Sequence, residues 1–271
     1  MTSRATIALA DTVTRLGAEH AGCVLVTGSH GGMVAARYAV RARVRAAIFN
    51  DAGVGCDDAG IAGLAWLDAL GVAAAAVTHV SARIADAQDS LAHGRIGHVN
   101  ACARRCSVAT GDTCAVAAAK LRDAALVDAH AAAPDGAAGR VVLLPAGGSA
   151  VAVVGLDSIG LVRPDDAGRV LVIGSHGGLH GGDPDSALPV PARAAFFHDA
   201  GVGKDGAGIS RLPVLAARGV PAATVDYRSA RIGDARSLWE RGVLSHANDA
   251  MQARGITPGS TVEAAVARLR R

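Results

Sequence analysis

Short apolar runs alternate with longer stretches of helical length along this chain, and each run stops at a glycine or a polar residue. Runs of this kind, rich in branched side chains, are typical of parallel strands buried on both faces. Six of them predict strands, at Val24–Thr27, Ala46–Phe49, Val72–Val77, Val170–Ile173, Ala194–Phe197 and Val220–Val225.

Helices are predicted between and after these strands. Ala59–Leu70 and Ala207–Arg218 have helical length, and Gly71 and Gly219 follow them where a C-terminal cap belongs. We also predict helix over Ala85–Ala103 and in the segment that ends at Arg270. Strand, turn and helix in this order predict an α/β fold with a doubly wound, mostly parallel sheet.

Much of the pattern occurs twice. VLVTGSHGG at residues 24–32 returns as VLVIGSHGG at residues 170–178, and SARIADA at 81–87 returns as SARIGDA at 229–235. At an offset of 148, 26 of the 50 residues in 51–100 equal their counterparts in 199–248. We therefore expect a tandem duplication with pseudo-twofold symmetry. Its domains are a first repeat over residues 1–121, a linker with an extra strand over 122–151, and a second repeat over 152–271.

Composition excludes several function classes. Because 51% of the residues are hydrophobic and only 19% are charged, the chain can bury a large core and disorder is excluded. A net charge of +3 and 3% aromatic residues argue against nucleic-acid binding. The longest apolar stretch, Val141–Val162, is interrupted by Pro145 and several glycines, so we interpret it as buried sheet and expect no membrane association.

The cysteines and the start of the chain bear on location. Five cysteines without a CxxC pair suit reduced thiols, and Met1–Leu16 has no unbroken apolar segment typical of a secretory signal. We therefore expect a cytoplasmic protein, with a homo-oligomer left open. No cofactor is expected, although a divalent metal remains an alternative.

The candidate site lies beyond the carboxyl ends of the strands, where ligands bind in open parallel sheets. Three consecutive loops in each repeat bring a hydroxyl, an imidazole, a carboxylate and a guanidinium to this edge. The candidate catalytic residues are Ser29, His30, Asp51, Ser175, His176, Asp199 and Lys204. The candidate substrate-binding residues are Gly31, Gly32, Ser81, Arg83, Gly177, Gly178, Ser229 and Arg231.

Each motif has a functional and a structural interpretation. The GSHGG glycines can turn successive N–H groups towards an oxyanion, or can simply make a tight turn whose serine caps the next helix. Asp51 can orient His30, or can accept hydrogen bonds from its own turn. Arg83 can clamp a substrate carboxylate, or can form an ion pair with Asp86 or Asp51, and Arg231 has the same two options.

The two repeats differ at a few positions. Cys56 corresponds to Lys204, Asn50 to His198 and His79 to Tyr227. Because Lys204 adds a cation to the second copy, the second repeat is favoured if only one is active. A composite site formed by both repeats is the alternative.

These residues favour an enzyme that acts on a small, carboxylate-bearing metabolite, with hydrolysis of an amide, imide or ester as the reaction. Ser175 would be the nucleophile, His176 the base and Asp199 its orienting group, with Arg231 or Arg83 on the substrate carboxylate. A metal-dependent hydrolase or lyase, with His176, Asp199 and Asp205 on a divalent ion, is one alternative. A non-catalytic ligand-binding or regulatory protein is another.

Overall fold

The computed structural model describes residues 4–133 and 139–270, so residues 134–138 of the predicted linker lie outside the described residues. The described chain forms two compact units. The first contains residues 4–54, 58–133 and the short segment 203–205, and the second contains residues 55–57, 139–202 and 206–270. No helix in these ranges is long and apolar enough to cross a membrane.

The first unit is built on a five-stranded sheet whose strand order follows the chain. Its strands are β1 (Ile7–Ala10), β2 (Val24–His30), β3 (Ala46–Asn50), β4 (Ala73–Val77) and β5 (Ile96–Val99). Strands β1 to β4 are parallel and β5 pairs antiparallel with β4. Because successive side chains point to opposite faces, Val24 and Val26 pack in one core and Leu25 in the other.

Helices cover both faces of this sheet. They are α1 (Met33–Arg41), α2 (Ala62–Ala69), α3 (Ala87–His93), α4 (Ala101–Arg105) and α5 (Cys114–Leu121). Helices α1 and α2 share one core, whereas α4 and α5 contribute to the other. Short 3-10 helices occupy Val13–Arg15, Ala18–His20, Cys56–Asp58 and His130–Ala132.

The second unit has a six-stranded sheet, again with its strands in chain order. Its strands are β6 (Arg140–Leu144), β7 (Val153–Leu156), β8 (Val170–His176), β9 (Ala194–His198), β10 (Ala222–Val225) and β11 (Leu244–Ala247). Strands β7 to β10 are parallel, and the outer strands β6 and β11 are antiparallel to their neighbours. The stretch predicted as buried sheet thus supplies the buried strand β7 and the edge strand β6, whose Val142 is 59% exposed.

The helices of the second unit are α6 (Arg211–Ala217), α7 (Ala235–Arg241), α8 (Asp249–Gln252) and α9 (Val262–Leu269). Its 3-10 helices are Ile159–Leu161, Pro164–Asp166, His180–Gly182 and Pro184–Ser186. A further 3-10 helix, Lys204–Ile209, has its first two residues in the segment 203–205 that belongs to the first unit. The segment after β8 is anchored by the fully buried Arg211, which donates to the carbonyls of Ser186 and Ala187 and lies 5.6 Å from the Phe197 ring centroid.

Two predictions are corrected and one is confirmed. The sheets are α/β and mostly parallel, but their strand order never reverses among the described strands, so the crevice of a doubly wound sheet is absent from them. The predicted helix Ala85–Ala103 is wrong, because Gly94 ends α3 and β5 follows as a strand. Gly71 and Gly219 do follow α2 and α6 with positive φ, as predicted for C-terminal caps.

One buried asparagine in each unit connects a strand edge to the next helix. In the first unit, the Asn100 side chain accepts hydrogen bonds from the Ala74 and Ala103 N–H groups and donates to the carbonyls of Leu64 and Val72. In the second, Asn248 makes the same four bonds with Ala222, Met251, Leu212 and Val220. Both asparagines therefore serve structure.

We expect Asn100→Ala and Asn248→Ala to lower the free energy of unfolding by roughly 3 kcal/mol or more each, because buried backbone groups lose their partners. Gln252→Ala, at an exposed helical position, serves as a control and should change it by less than about 0.5 kcal/mol. Denaturant titration measures all three. Equal stability of Asn100→Ala and the control would contradict the assigned role.

Candidate functional site

A left-handed turn follows β3 and another follows β9. Residues 52–55, with the sequence AGVG, have φ values of 50°, 75°, 64° and 74°, and residues 200–203 have 52°, 72°, 62° and 70°. Positive φ at the β-branched Val54 and Val202 is strained, by about 1–3 kcal/mol per residue. Because such strain clusters at functional sites, the aspartate before each turn is a candidate functional residue.

Asp51 is the centre of a compact polar cluster in the first unit. Only 3% of the residue is exposed, and its Oδ1 accepts hydrogen bonds from the Gly53 N–H at 2.9 Å and the His79 N–H at 2.8 Å. The His79 Nδ1 lies 2.9 Å from the same oxygen, and the His98 Nε2 lies 3.7 Å from Oδ2. The Asp51 carboxylate therefore faces two imidazoles, and it also accepts a hydrogen bond from the backbone of the turn that follows it.

Asp51 is held in the ionised form. Burial would raise the pKa of its carboxyl, but the hydrogen bonds from His79 and from the Gly53 N–H outweigh burial and lower it. Because a carboxylate only accepts, the Nδ1 of His79 must carry a proton, which leaves Nε2 as the basic nitrogen. About a quarter of the His79 side chain is exposed, so the ring can meet a ligand.

A cleft of about 400 Å³ lies beside this cluster and is also part of the first unit. His98 lines it, together with Asp68, Arg104 and Thr110 as further polar residues. Its apolar wall is formed by Ile61, Leu64, Ala65 and Val99. The size falls within the range of small-molecule sites, and His98 connects the cleft to Asp51.

Asp199 has different neighbours in the second unit. Its Oδ1 accepts from the Gly201 and Tyr227 N–H groups, both at 3.0 Å, and Ser245 supplies a further hydrogen bond. Burial raises the pKa of Asp199, and these hydrogen bonds do not offset it. Tyr227 and Ser245 thus stand where the first unit has His79 and Gly97.

The predicted serine nucleophiles are backbone acceptors. Ser29 Oγ accepts from the Val13 N–H at 3.0 Å, and Ser175 Oγ accepts from the Ile159 N–H at 3.1 Å. Both serines are buried. The alternative in which Ser29 caps α1 is wrong, since Gly32 is the N-cap residue and no side chain caps that helix.

The predicted imidazole bases accept a hydrogen bond as well. His30 Nδ1 accepts from the Gly32 N–H at 3.1 Å, and His176 Nδ1 accepts from the Gly178 N–H at 3.3 Å. A neutral imidazole in this arrangement carries its proton on Nε2, so neither ring nitrogen offers a lone pair to a substrate. In this arrangement a base role for either histidine requires breaking that bond.

The GSHGG loops do not form the expected oxyanion site. None of Gly31, Gly32, Gly177 and Gly178 has positive φ, and their N–H groups bind internal acceptors: Asn50 O, His30 Nδ1, His198 O and His176 Nδ1. Glycine is required at Gly32 and Gly177 because a side chain would collide with neighbouring backbone atoms. A Cβ on Gly32 would lie 2.6 Å from the Ala59 carbonyl, and one on Gly177 would lie 2.6 Å from the Gly208 carbonyl.

The remaining candidates are engaged within their units. Ser81 and Ser229 donate to the carbonyls of Thr78 and Asp226. Arg83 is ion-paired with Asp86, Asp89 and Asp205, and the Lys204 Nζ lies 2.7 Å from Asp89 Oδ1 in the same first unit. In the second unit the Arg231 Nε lies 2.7 Å from Asp57 Oδ2. The ion-pair alternative for Arg83 with Asp86 is therefore confirmed.

No group of three or more His, Cys, Asp or Glu side chains that could hold a metal occurs within residues 4–133 and 139–270. His176, Asp199 and Asp205, the predicted ligands of a divalent ion, do not form such a group in the described residues. Asp205 pairs with Arg83, and His176 Nδ1 and Asp199 Oδ1 accept hydrogen bonds from backbone N–H groups.

Sequence reasoning missed the residues that surround Asp51. His98 falls within the wrongly predicted helix Ala85–Ala103, and the sequence distinguishes His79 only as a difference between the repeats. Arg104 and Asp68 were not singled out at all. A signal existed for His79, since it lies two residues after the end of β4, and β4 is the neighbour of β3, whose last residue precedes Asp51.

No protein-family model, no curated protein and no solved structure matches this chain. Its function must therefore be inferred from the geometry of the site.

The last residues of β3 and β9, Asn50 and His198, make equivalent hydrogen bonds with different side chains. Asn50 accepts from the Ala52 N–H and donates to the Ala82 carbonyl. His198, which is fully buried, accepts from the Ala200 N–H at 3.0 Å and lies 3.1 Å from the Ala230 carbonyl. Burial lowers the pKa of His198 to about 4, so the ring is neutral.

This burial predicts a pH-dependent stability. The unfolded chain protonates His198 below about pH 6.5, whereas the folded chain resists protonation down to about pH 4, so stability falls as pH decreases through that window. His198→Asn keeps an amide for the Ala200 N–H and removes the titrating ring. Denaturant unfolding from pH 4 to 8 should show the wild type losing stability relative to this variant; a constant difference would refute the assignment.

Proposed function

We propose that this protein is an enzyme that hydrolyses an amide, imide or ester bond of a small metabolite, using the cluster of Asp51, His79 and His98 for proton transfer. One observation carries the proposal: a buried, ionised carboxylate holds the Nδ1–H of the partly exposed His79 imidazole at 2.9 Å. This is the relation between base and orienting group found in histidine-dependent hydrolases. The same carboxylate lies 3.7 Å from His98, which lines a cleft of about 400 Å³.

The chemistry follows from the protonation states. His79 Nε2 takes a proton from water while the water oxygen attacks the substrate carbonyl, and Asp51 stabilises the imidazolium that forms. The imidazolium then returns the proton to the leaving nitrogen or oxygen as its bond to the carbonyl carbon breaks. His98, which lines the cleft 3.7 Å from Asp51, is the second group that can donate to the substrate.

Water is the nucleophile in this proposal, in place of Ser175 or Ser29. Both hydroxyl oxygens accept backbone N–H bonds, and both serines are at most 7% exposed. The proposal also places the active cluster in the first unit, since Lys204, the reason for preferring the second repeat, is bound to Asp89.

A second candidate uses Asp199, which is buried, accepts from the Gly201 and Tyr227 N–H groups and has a pKa raised by burial, as the general acid. A non-catalytic ligand-binding protein would use the cleft of the first unit without turnover. The variants described below separate these candidates.

We also propose that the chain arose by tandem duplication. Matching hydrogen bonds support this origin, because Asn100 and Asn248, Ser29 and Ser175, and the two left-handed turns each have the same partners at the same offsets. The pseudo-twofold relation stays a prediction. So do the cytoplasmic location, which the free state of the five described cysteines supports, and the homo-oligomer.

The activity test uses a chromogenic ester that carries a carboxylate, mono-p-nitrophenyl succinate, and a panel of small amides. We expect His79→Gln and Asp51→Asn to reduce kcat by about 10²- to 10⁴-fold, the range of a general base. Asp199→Asn is the matched control from the second unit and should retain most of the activity.

Three outcomes decide among the candidates. Loss of hydrolytic activity in the Asp51 and His79 variants alone supports the proposal, provided that circular dichroism shows that these variants are folded. Loss in Asp199→Asn alone transfers the site to the second unit. Full activity in all of them overturns the assignment. A proton resonance of the His79 Nδ1–H that shifts in Asp51→Asn independently tests the hydrogen bond.

A further inference from the structure

The cleft beside His98 contains two opposite charges that do not neutralise each other. Asp68 and Arg104 both line it, yet no ion pair joins their side chains in the described part of the chain. Most other charged groups near the cluster are paired, as Arg83 and Lys204 are. Because the two side chains do not pair with each other, a ligand in this concave site can meet both charges.

Asp68 is fixed and ionised. Its Oδ1 accepts from the Cys102 N–H at 2.8 Å, and this hydrogen bond lowers the pKa of the carboxyl. Cys102 and Ala101 supply further hydrogen bonds and Arg105 a nearby positive charge, so a donor in the cleft would share the Asp68 carboxylate with these groups.

Arg104 is the cation of the cleft. It lies in the last turn of α4, is exposed, and has no side-chain hydrogen bond or ion pair within residues 4–133 and 139–270. Its neighbour Arg105 behaves differently, since that guanidinium donates to the Cys102 sulfur at 2.9 Å. A planar guanidinium without a partner suits a carboxylate, which it binds through two parallel hydrogen bonds.

The second unit lacks this pair of charges. At an offset of 148, Ala216 replaces Asp68 and Gln252 replaces Arg104, and the Gln252 side chain donates to the Ala247 carbonyl at 2.7 Å. The two charges thus accompany the His79 and His98 cluster and do not recur with Asp199.

We infer that the cleft binds a small molecule with a carboxylate and an N–H donor, such as an N-acylated amino acid. Arg104 holds the carboxylate, Asp68 accepts from the amide N–H, and the apolar part of the ligand packs on Ile61 and Leu64. The amide carbonyl then lies on the side of His98. This inference rests on the proposed function, because it assigns the substrate class of the same site.

The test measures binding by calorimetry, with N-acetylleucine as the probe. N-acetylleucinamide lacks the carboxylate, and N-acetyl-N-methylleucine lacks the N–H. We expect Arg104→Gln to weaken binding of N-acetylleucine by about 10-fold or more, and to leave the amide probe unaffected. Asp68→Asn retains an oxygen that can accept from the Cys102 N–H. We expect this variant to weaken the binding of N-acetylleucine and to leave the binding of the N-methyl probe unchanged. Arg236→Gln, at an exposed site in the second unit, is the charge-matched control.

The inference is overturned if N-acetylleucine does not bind, if Arg104→Gln binds it as wild type does, or if the amide probe binds as tightly as the acid. The proposed function fails separately. His79→Gln should keep the wild-type affinity for N-acetylleucine while it loses hydrolytic activity. If the protein binds N-acetylleucine but its Asp51 and His79 variants hydrolyse normally, the ligand class is retained and the catalytic cluster is refuted.

Discussion

A single oxygen of Asp51 joins two parts of the first unit, the strained turn after β3 and His79 after β4. It accepts from the strained turn that follows β3, from the backbone after β4 and from the His79 ring, all within 2.9 Å. The carboxylate must stay ionised to accept all three bonds, and the same bonds keep it ionised despite burial. Structure and proposed chemistry thus depend on the same charge. The prediction that Asp51 accepts from its own turn is confirmed, whereas the imidazoles beside it are His79 and His98 and not the predicted His30.

The second unit shows what changes when the neighbours of that carboxylate change. Asp199 keeps the bond to its turn but meets Tyr227 and Ser245, and its pKa moves in the opposite direction. Asn50 and His198 are a parallel case, since an amide and a neutral imidazole each offer one acceptor and one donor. Two similar frames therefore carry different titrating groups at matching positions.

The sequence predicted six central strands, because buried parallel strands have a clear apolar pattern, but it missed the edge strands β1, β5 and β11. It failed at Ala85–Ala103, where Gly94 and Gly97 allow an antiparallel strand that the alanine-rich composition hides. The sequence also could not show that Ser175 and His176 have structural roles. Only the three-dimensional structure shows that the serine Oγ and the histidine Nδ1 each accept a hydrogen bond from a backbone N–H. Asp68 and Arg104 come from different helices, and nothing in their spacing indicates that they share a cleft with His98.

The left-handed turns have a consequence for how this chain folds. Valine rarely adopts positive φ in an unfolded chain, so the AGVG segments at residues 52–55 and 200–203 cannot serve as early nuclei. They close only once the strand before each turn and the loop after the next strand have come together to supply the hydrogen bonds of Asp51 and Asp199. We therefore expect the proposed catalytic cluster to assemble late in the folding of the first unit and to be lost early when the sheet opens.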